Sequence, residues 1–139
     1  MDKQLSPFER GDKLPEVFSV HFDGDTYLSM LVPDNSPLKV PIGNVTFAPG
    51  SKNHWHIHPG GQILLATAGC GWYQAEGESP RRLKPGDVVE ILPGVKHWHG
   101  AAQNSWFSHL AIETGASAGP AQWLEPVPDE VYQALEGQR

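Results

Sequence analysis

The chain has 139 residues, 39% hydrophobic and 19% charged, which suits one domain built around one buried core. Its net charge of −6 repels a phosphate backbone and excludes nucleic acid as an expected partner. Cys70 is the single cysteine, so no intrachain disulfide can form, and its place between Gly69 and Gly71 after an apolar run reads as a small buried hydrophobe. Residues 1–7 lack the apolar centre of a secretory signal, and no apolar run approaches a membrane span. The expected setting is the cytoplasm, without a membrane partner.

Fifteen glycines and thirteen prolines are scattered along the chain, the pattern of a polypeptide that turns often between short strands. Apolar residues recur with period two over 17–22 and 26–32, on either side of the turn formers Asp23-Gly24-Asp25, and both segments are read as strands. A strand over 44–48 ends at Pro49-Gly50, and the alternation resumes at 55–58. Residues 62–68 form a strongly apolar strand able to be buried on both faces. Residues 72–75 pair with 81–83 across Glu76-Gly77-Glu78-Ser79-Pro80, with Arg81-Arg82 as a solvated edge. Lys84-Pro85-Gly86-Asp87 has the composition of a type II turn, and strands over 88–92 and 106–113 complete the series. Only the end reads as helical: Pro128-Asp129-Glu130 starts it, Val131, Ala134 and Leu135 give a weak apolar stripe, and Gly137 stops it. Eight to ten short antiparallel strands predict an all-β sandwich or jelly-roll barrel with a short C-terminal helix.

The chemistry concentrates in two stretches. In the first, Gly50 is followed after five residues by His56-Ile57-His58, after three more by Gln62, and after six more by Gly69. Side chains two apart on a strand share a face, so His56 and His58 can grip one ion together. In the second, Gly86-Asp87 precedes Pro93-Gly94-Val95-Lys96-His97, with His99 two positions beyond. His97 is placed to join the ion from a neighbouring strand. His54 shares the parity of His56 and His58 and is expected beside the site rather than on the ion.

These two stretches resemble the two signature motifs of the cupins, with Gln62 where glutamate is usual and one extra residue before Pro93. The resemblance covers roughly residues 43–112. It implies a cupin jelly-roll barrel (double-stranded β-helix) holding one divalent transition metal, Mn, Fe, Ni, Co or Zn, on His56, His58, Gln62 and His97. The stretches His56 to Gln62, Ala68-Gly69-Cys70-Gly71-Trp72, Gly94 to Gly100, Ser108 to Ile112 and Trp123 to Glu130 are similar to cupins associated with carboxymuconolactone decarboxylase domains and to manganese-dependent cupin hydroxynitrile lyases. The barrel core is expected at 41–114, an N-terminal arm at 1–40 and a loop with the helix at 115–139, all within one domain.

Three neutral imidazoles and an amide oxygen would leave a bound cation its full charge and a strong Lewis acidity. His109, which alternates with Phe107 and Ala111 on the last strand, and His99 are the candidate proton carriers; unperturbed imidazoles titrate near neutrality. The resemblance to the hydroxynitrile lyases implies His109 as the base. Phe47 and Trp98 are the aromatics expected at the pocket, and Lys52 and Lys96 are expected at the surface. The function expected is a metal-dependent lyase or isomerase acting on a small polar molecule, with an Fe(II) dioxygenase or a non-catalytic ligand-binding barrel as alternatives. A homodimer is expected, with the start of the chain (Pro7, Pro15) lending a strand to its partner and covering exposed edges.

Overall fold

The computed structural model describes residues 6–137. Residues 1–5 of the expected arm, with most of the stretch read for a signal, and 138–139 of the C-terminal segment lie outside the described residues. The strands are β1 (Asp12–Lys13), β2 (Phe22–Asp23), β3 (Thr26–Val32), β4 (Ile42–Phe47), β5 (Lys52–Asn53), β6 (His56–Ile57), β7 (Gln62–Gly69), β8 (Gly71–Ala75), β9 (Arg81–Leu83), β10 (Val88–Ile91), β11 (Lys96–Ala101), β12 (Phe107–Glu113) and β13 (Gln122–Trp123). Two helices, α1 (Glu16–Ser19) and α2 (Asp129–Ala134), flank them.

Every pairing among these strands is antiparallel. One sheet runs β1-β3-β4-β12-β7-β10; the other runs β13-β6-β11-β5-β2, with β8 on the free edge of β11 and β9 beyond it. The two sheets close on a core in which Phe47, Leu64, Leu83, Ala101 and Phe107 are at most 1% exposed. Strand β7 alternates strictly, with Gln62, Leu64, Ala66 and Ala68 buried and the intervening residues half-buried, so one face is inward and the other is only partly covered. The expectation of burial on both faces is corrected to that extent.

Residues 17–22 do not form the expected strand. Pro15 begins a helical turn instead, its carbonyl accepting from the backbone N–H of Phe18 and Ser19. The edge that this segment could have joined is already taken, because β1 pairs with β3 through Asp12 opposite Leu28. Without a partner strand, extended backbone groups would be left to solvent, whereas a turn satisfies them locally. At the other end, α2 packs beneath a second core of Trp72, Trp98, Val127, Tyr132 and Leu135. Its buried positions are Tyr132 and Leu135 (its 3-10 extension), not Val131 or Ala134, which face outward.

Candidate metal centre and pocket

Strand β11 places the second histidine pair. Its neighbours on one edge are β6 and β5, with His97 opposite His56 and Gly100 opposite Lys52; on the other edge is β8. Alternation along β11 turns His97 and His99 inward and Trp98 outward. Trp98 therefore does not reach the pocket: it is fully buried in the second core, its indole N–H donating to Gln74 Oε1 at 3.1 Å.

Strand β12 brings in the rest. Its register against β7 shifts between Ser108 and His109, leaving Thr67 of β7 without an opposite number. This bulge shifts the pairing of the two strands by one residue of β7. His109 then faces Ala66, Ala111 faces Leu64, and Glu113 faces Gln62 across the ladder. The Thr67 hydroxyl, freed from a cross-strand neighbour, donates to the Ser108 carbonyl at 3.2 Å and so ties the irregularity down. Phe47, on β4, touches both His99 and His109 at ring separations of 5.7 and 5.9 Å. Trp123 stacks on His56 at 4.5 Å and on His21 at 4.6 Å.

The rings lie close together. His56 is 4.2 Å from His97 and 5.0 Å from His58, and His99 is 4.8 Å from His109, centroid to centroid. Ligand atoms of His56, His97 and His99 all fall within 4.8 Å of one another, which is close enough for one ion. Three rings point the same way chemically: His56 Nδ1–H donates to the His54 carbonyl, His97 Nδ1–H to that of Val95, and His109 Nδ1–H to that of Leu110. Each is left with Nε2 as its lone-pair nitrogen. Among the described residues, His97 Nε2 and His109 Nε2 are buried without a protein partner, and so is Gln62 Oε1.

Burial depresses the basicity of this cluster. His97 and His109 are lowered to about 4, and His56 and His99 well below the ordinary value, in every case chiefly because a buried charge is poorly solvated. These four imidazoles are neutral at neutral pH, each with one lone-pair nitrogen.

Glu113 was missed in the sequence. Its carboxylate accepts from Gln62 Nε2 and lies 3.3 Å from His58 Nδ1, which turns Gln62 Oε1 and His58 Nε2 away from it. A cation held here thus has a carboxylate immediately behind two of its neighbours, and the expectation of an uncompensated charge is corrected. The signal was strand parity: Glu113 continues the 107, 109, 111 series. Asn53 was missed as well, since its partner His99 is 46 residues away.

His54 faces elsewhere, pairing with Asp23 Oδ1 at 3.2 Å. Lys52 is also not at the surface; it is 2% exposed, between Asp23 at 3.3 Å, Asp129 at 3.4 Å and the face of Tyr132. Lys96 lies over Trp55 and pairs with Glu125 at 2.7 Å and Glu76 at 3.4 Å. Cys70 is half-buried, not fully enclosed.

A cavity of about 290 Å³ opens onto the cluster, walled by Phe18, Phe22, Leu28, Met30 and Val45 and ending at His56, His58, Gln62, His99, His109 and Glu113. An apolar wall leading to a convergent set of nitrogen and oxygen donors suits a small molecule with one polar end.

A jelly-roll barrel with an imidazole-lined lumen defines a class, and comparison with known proteins gives the family. Residues 43–113 match the cupin domain, and the chain belongs to the cupin family. It is 45% identical over 111 residues to the (R)-mandelonitrile lyase of Granulicella tundricola, covering 80% of this chain and 85% of that protein. A cupin-like protein of Thermotoga maritima superposes with a TM-score of 0.85 at 47% identity, over 92% of this chain and 95% of the other. A DMSP lyase of Ruegeria pomeroyi shares the fold alone, at 23% identity and a TM-score of 0.65 over 89% of this chain and 62% of the other.

Proposed function

We propose that the protein is a divalent-metal-dependent lyase that cleaves or forms small 2-hydroxynitriles. The observation that carries the metal-binding part of this reading is that the second polar atom of each candidate ligand is already held or faced by the protein. Backbone carbonyls hold the Nδ1–H of His56 and His97, and Glu113 holds the amide of Gln62 and lies beside His58. Three Nε2 atoms and one amide oxygen remain to hold one ion. The orphaned His97 Nε2 and Gln62 Oε1 fit that role, since buried acceptors without partners are costly unless something occupies them. When bound, the ion supplies Lewis acidity to an oxygen or nitrogen of the substrate, and the donor set tolerates Mn, Fe, Co, Ni or Zn.

The chain's own residues do the rest. His109 Nε2 takes the proton of the substrate hydroxyl; the C–O bond becomes a carbonyl as the C–CN bond breaks, and its electron pair leaves with cyanide. His109 then returns the proton to cyanide, and aldehyde and hydrogen cyanide depart. The apolar wall of Phe22, Leu28 and Val45 receives the organic group. The similarity to a protein named (R)-mandelonitrile lyase supports an aromatic 2-hydroxynitrile as the first substrate to try.

The test is benzaldehyde release from mandelonitrile by protein loaded in turn with Mn, Fe, Co, Ni and Zn, against the metal-free chain. Stoichiometric metal uptake with no turnover on any 2-hydroxynitrile rejects the reading. Oxygen consumption by the iron form would point instead to an oxygenase.

A further inference from the structure

His99 is held differently from His56, His97 and His109, whose Nδ1 atoms meet backbone carbonyls. Asn53 is 2% exposed on β5 and meets His99 twice: the backbone N–H of His99 donates to Asn53 Oδ1 at 2.9 Å, and Asn53 Nδ2 faces His99 Nε2 at 3.2 Å. The first bond fixes the second. A backbone N–H can only donate, so the amide oxygen must face it, and the amide NH2 is left to donate to the ring. Nε2 of His99 is consequently the lone-pair nitrogen, already engaged, and the proton is on Nδ1. That Nδ1–H is buried without a partner, while the neighbouring His109 presents a buried, unpartnered Nε2.

We infer that Asn53 is a positioning residue that turns His99 into a hydrogen-bond donor toward the substrate and withholds it from the metal. His99 lies close enough to His56 and His97 to be counted with them as a ligand, but the nitrogen it leaves unengaged carries a hydrogen and has no lone pair to give. Side by side, His99 and His109 offer one donor and one acceptor, in rings 4.8 Å apart at 74°. A hydroxyl satisfies both at once, accepting from His99 and donating to His109. A carbonyl, ether or thioether can answer only the first. The pair thereby selects a hydroxyl-bearing ligand, a statement that rests on His109 acting as proposed above, whereas the clasp of His99 by Asn53 stands without it.

Asn53→Asp is the decisive variant, since it keeps the shape but offers two acceptors. The backbone N–H retains its oxygen, and His99 must bring a proton to Nε2 to meet the other, leaving Nδ1 as a lone pair. Histidine 15N–1H correlation spectra of the metal-free chain should show His99 as the Nδ1–H tautomer, becoming Nε2–H in Asn53→Asp while His56, His97 and His109 keep their patterns. An Nε2–H tautomer at His99 in the unmodified chain would overturn the inference directly, whatever the fate of the variant. A second measurement is calorimetric titration with Mn(II) or Zn(II). His99→Gln should bind one ion within about threefold of the parent affinity, whereas His97→Gln should lose at least about tenfold. Equal losses would make His99 a ligand and refute the assignment. Neither measurement uses turnover, so failure on 2-hydroxynitriles would leave the clasp standing, and an Nε2–H His99 would leave the lyase reading standing.

Discussion

Glu113 is the side chain whose chemistry most changes the expected character of the centre. It holds Gln62 by the amide NH2, which settles which end of that amide faces inward, and it lies beside His58 Nδ1. Carboxylates behind metal-binding imidazoles orient them and raise their basicity, and losing one typically costs ~10–100-fold in metal affinity. Glu113→Ala should therefore weaken Mn(II) or Zn(II) binding by about tenfold or more in a competition titration with a chelator, while Glu113→Gln, still able to accept from Gln62, should lose less. His109 makes a different prediction. Its Nδ1–H is committed to the Leu110 carbonyl, so removing the ring in His109→Ala should lower turnover by ~10²–10⁴-fold with one metal ion still bound. Because burial holds His109 at about 4, its lone pair is lost only near that pH, and the acid limb of the rate profile should fall there and not near 6.5.

Among the elements, β11 does most to bring distant residues together, contacting β5, β6 and β8 and sending His97 and His99 inward while Trp98 goes outward. Such close company demands a small residue: a Cβ at Gly100 would stand 2.6 Å from the Lys52 backbone. Gly100→Ala should destabilise the fold by roughly 1–3 kcal/mol through overpacking, read from denaturant midpoints. Helix α2 fastens the outer side of the same strand. Tyr132 donates to the Ala101 carbonyl at 2.5 Å and packs on Trp98 at 6.1 Å, while the Lys52 ammonium lies 4.7 Å from its ring and meets Asp129 of the helix. Tyr132→Phe leaves that carbonyl buried and unanswered, and should cost about 1–3 kcal/mol without altering metal stoichiometry. The helix was legible from Pro128 and the acidic first turn. Its inward residue, Tyr132, was not, because a stripe this short does not fix which face meets the barrel.

For the whole molecule, the buried imidazoles make stability depend on pH. His97 and His109 are lowered from 6.5 to about 4 in the folded chain, so above pH 6.5 folded and unfolded forms are alike neutral. Between 6.5 and 4 the unfolded chain takes up protons that the folded one refuses, and stability is lost as pH falls, by roughly 3 kcal/mol for each such group by pH 4. The metal-free protein should thus melt progressively lower below pH 6.5, and a saturating divalent ion, which binds only neutral imidazoles, should raise the midpoint most where the protein is otherwise intact, near neutrality. Assembly is a separate proposal. Within one chain, strand β1 pairs with β3 through residues 12–13. Val17, Phe18, Val20, Met30 and Leu38 are nonetheless left between 45% and 79% exposed, and a homodimer covering them is expected to elute at twice the monomer mass in size exclusion with light scattering. A monomer at every concentration would remove it.

The alternation of apolar residues and the turn formers between strands were sufficient, read along the chain alone, to specify an all-β sandwich or barrel; the spacing of His56, His58, Gln62 and His97 carried the resemblance to the cupins and nominated the side chains to examine. That follows because strand periodicity and turn composition are local properties, and because a ligand pair two residues apart needs only a strand to share a face. Tertiary structure decided what depends on residues distant in sequence. The bulge at Thr67 set His109 opposite Ala66 and Glu113 opposite Gln62; Asp23 drew His54 away from the centre; Asp23 and Asp129 drew Lys52 into the interior; and Asn53 set which nitrogen of His99 faces the pocket. Each of these turns on a hydrogen bond, a charge pair or a register between segments tens of residues apart, and no local pattern encodes them.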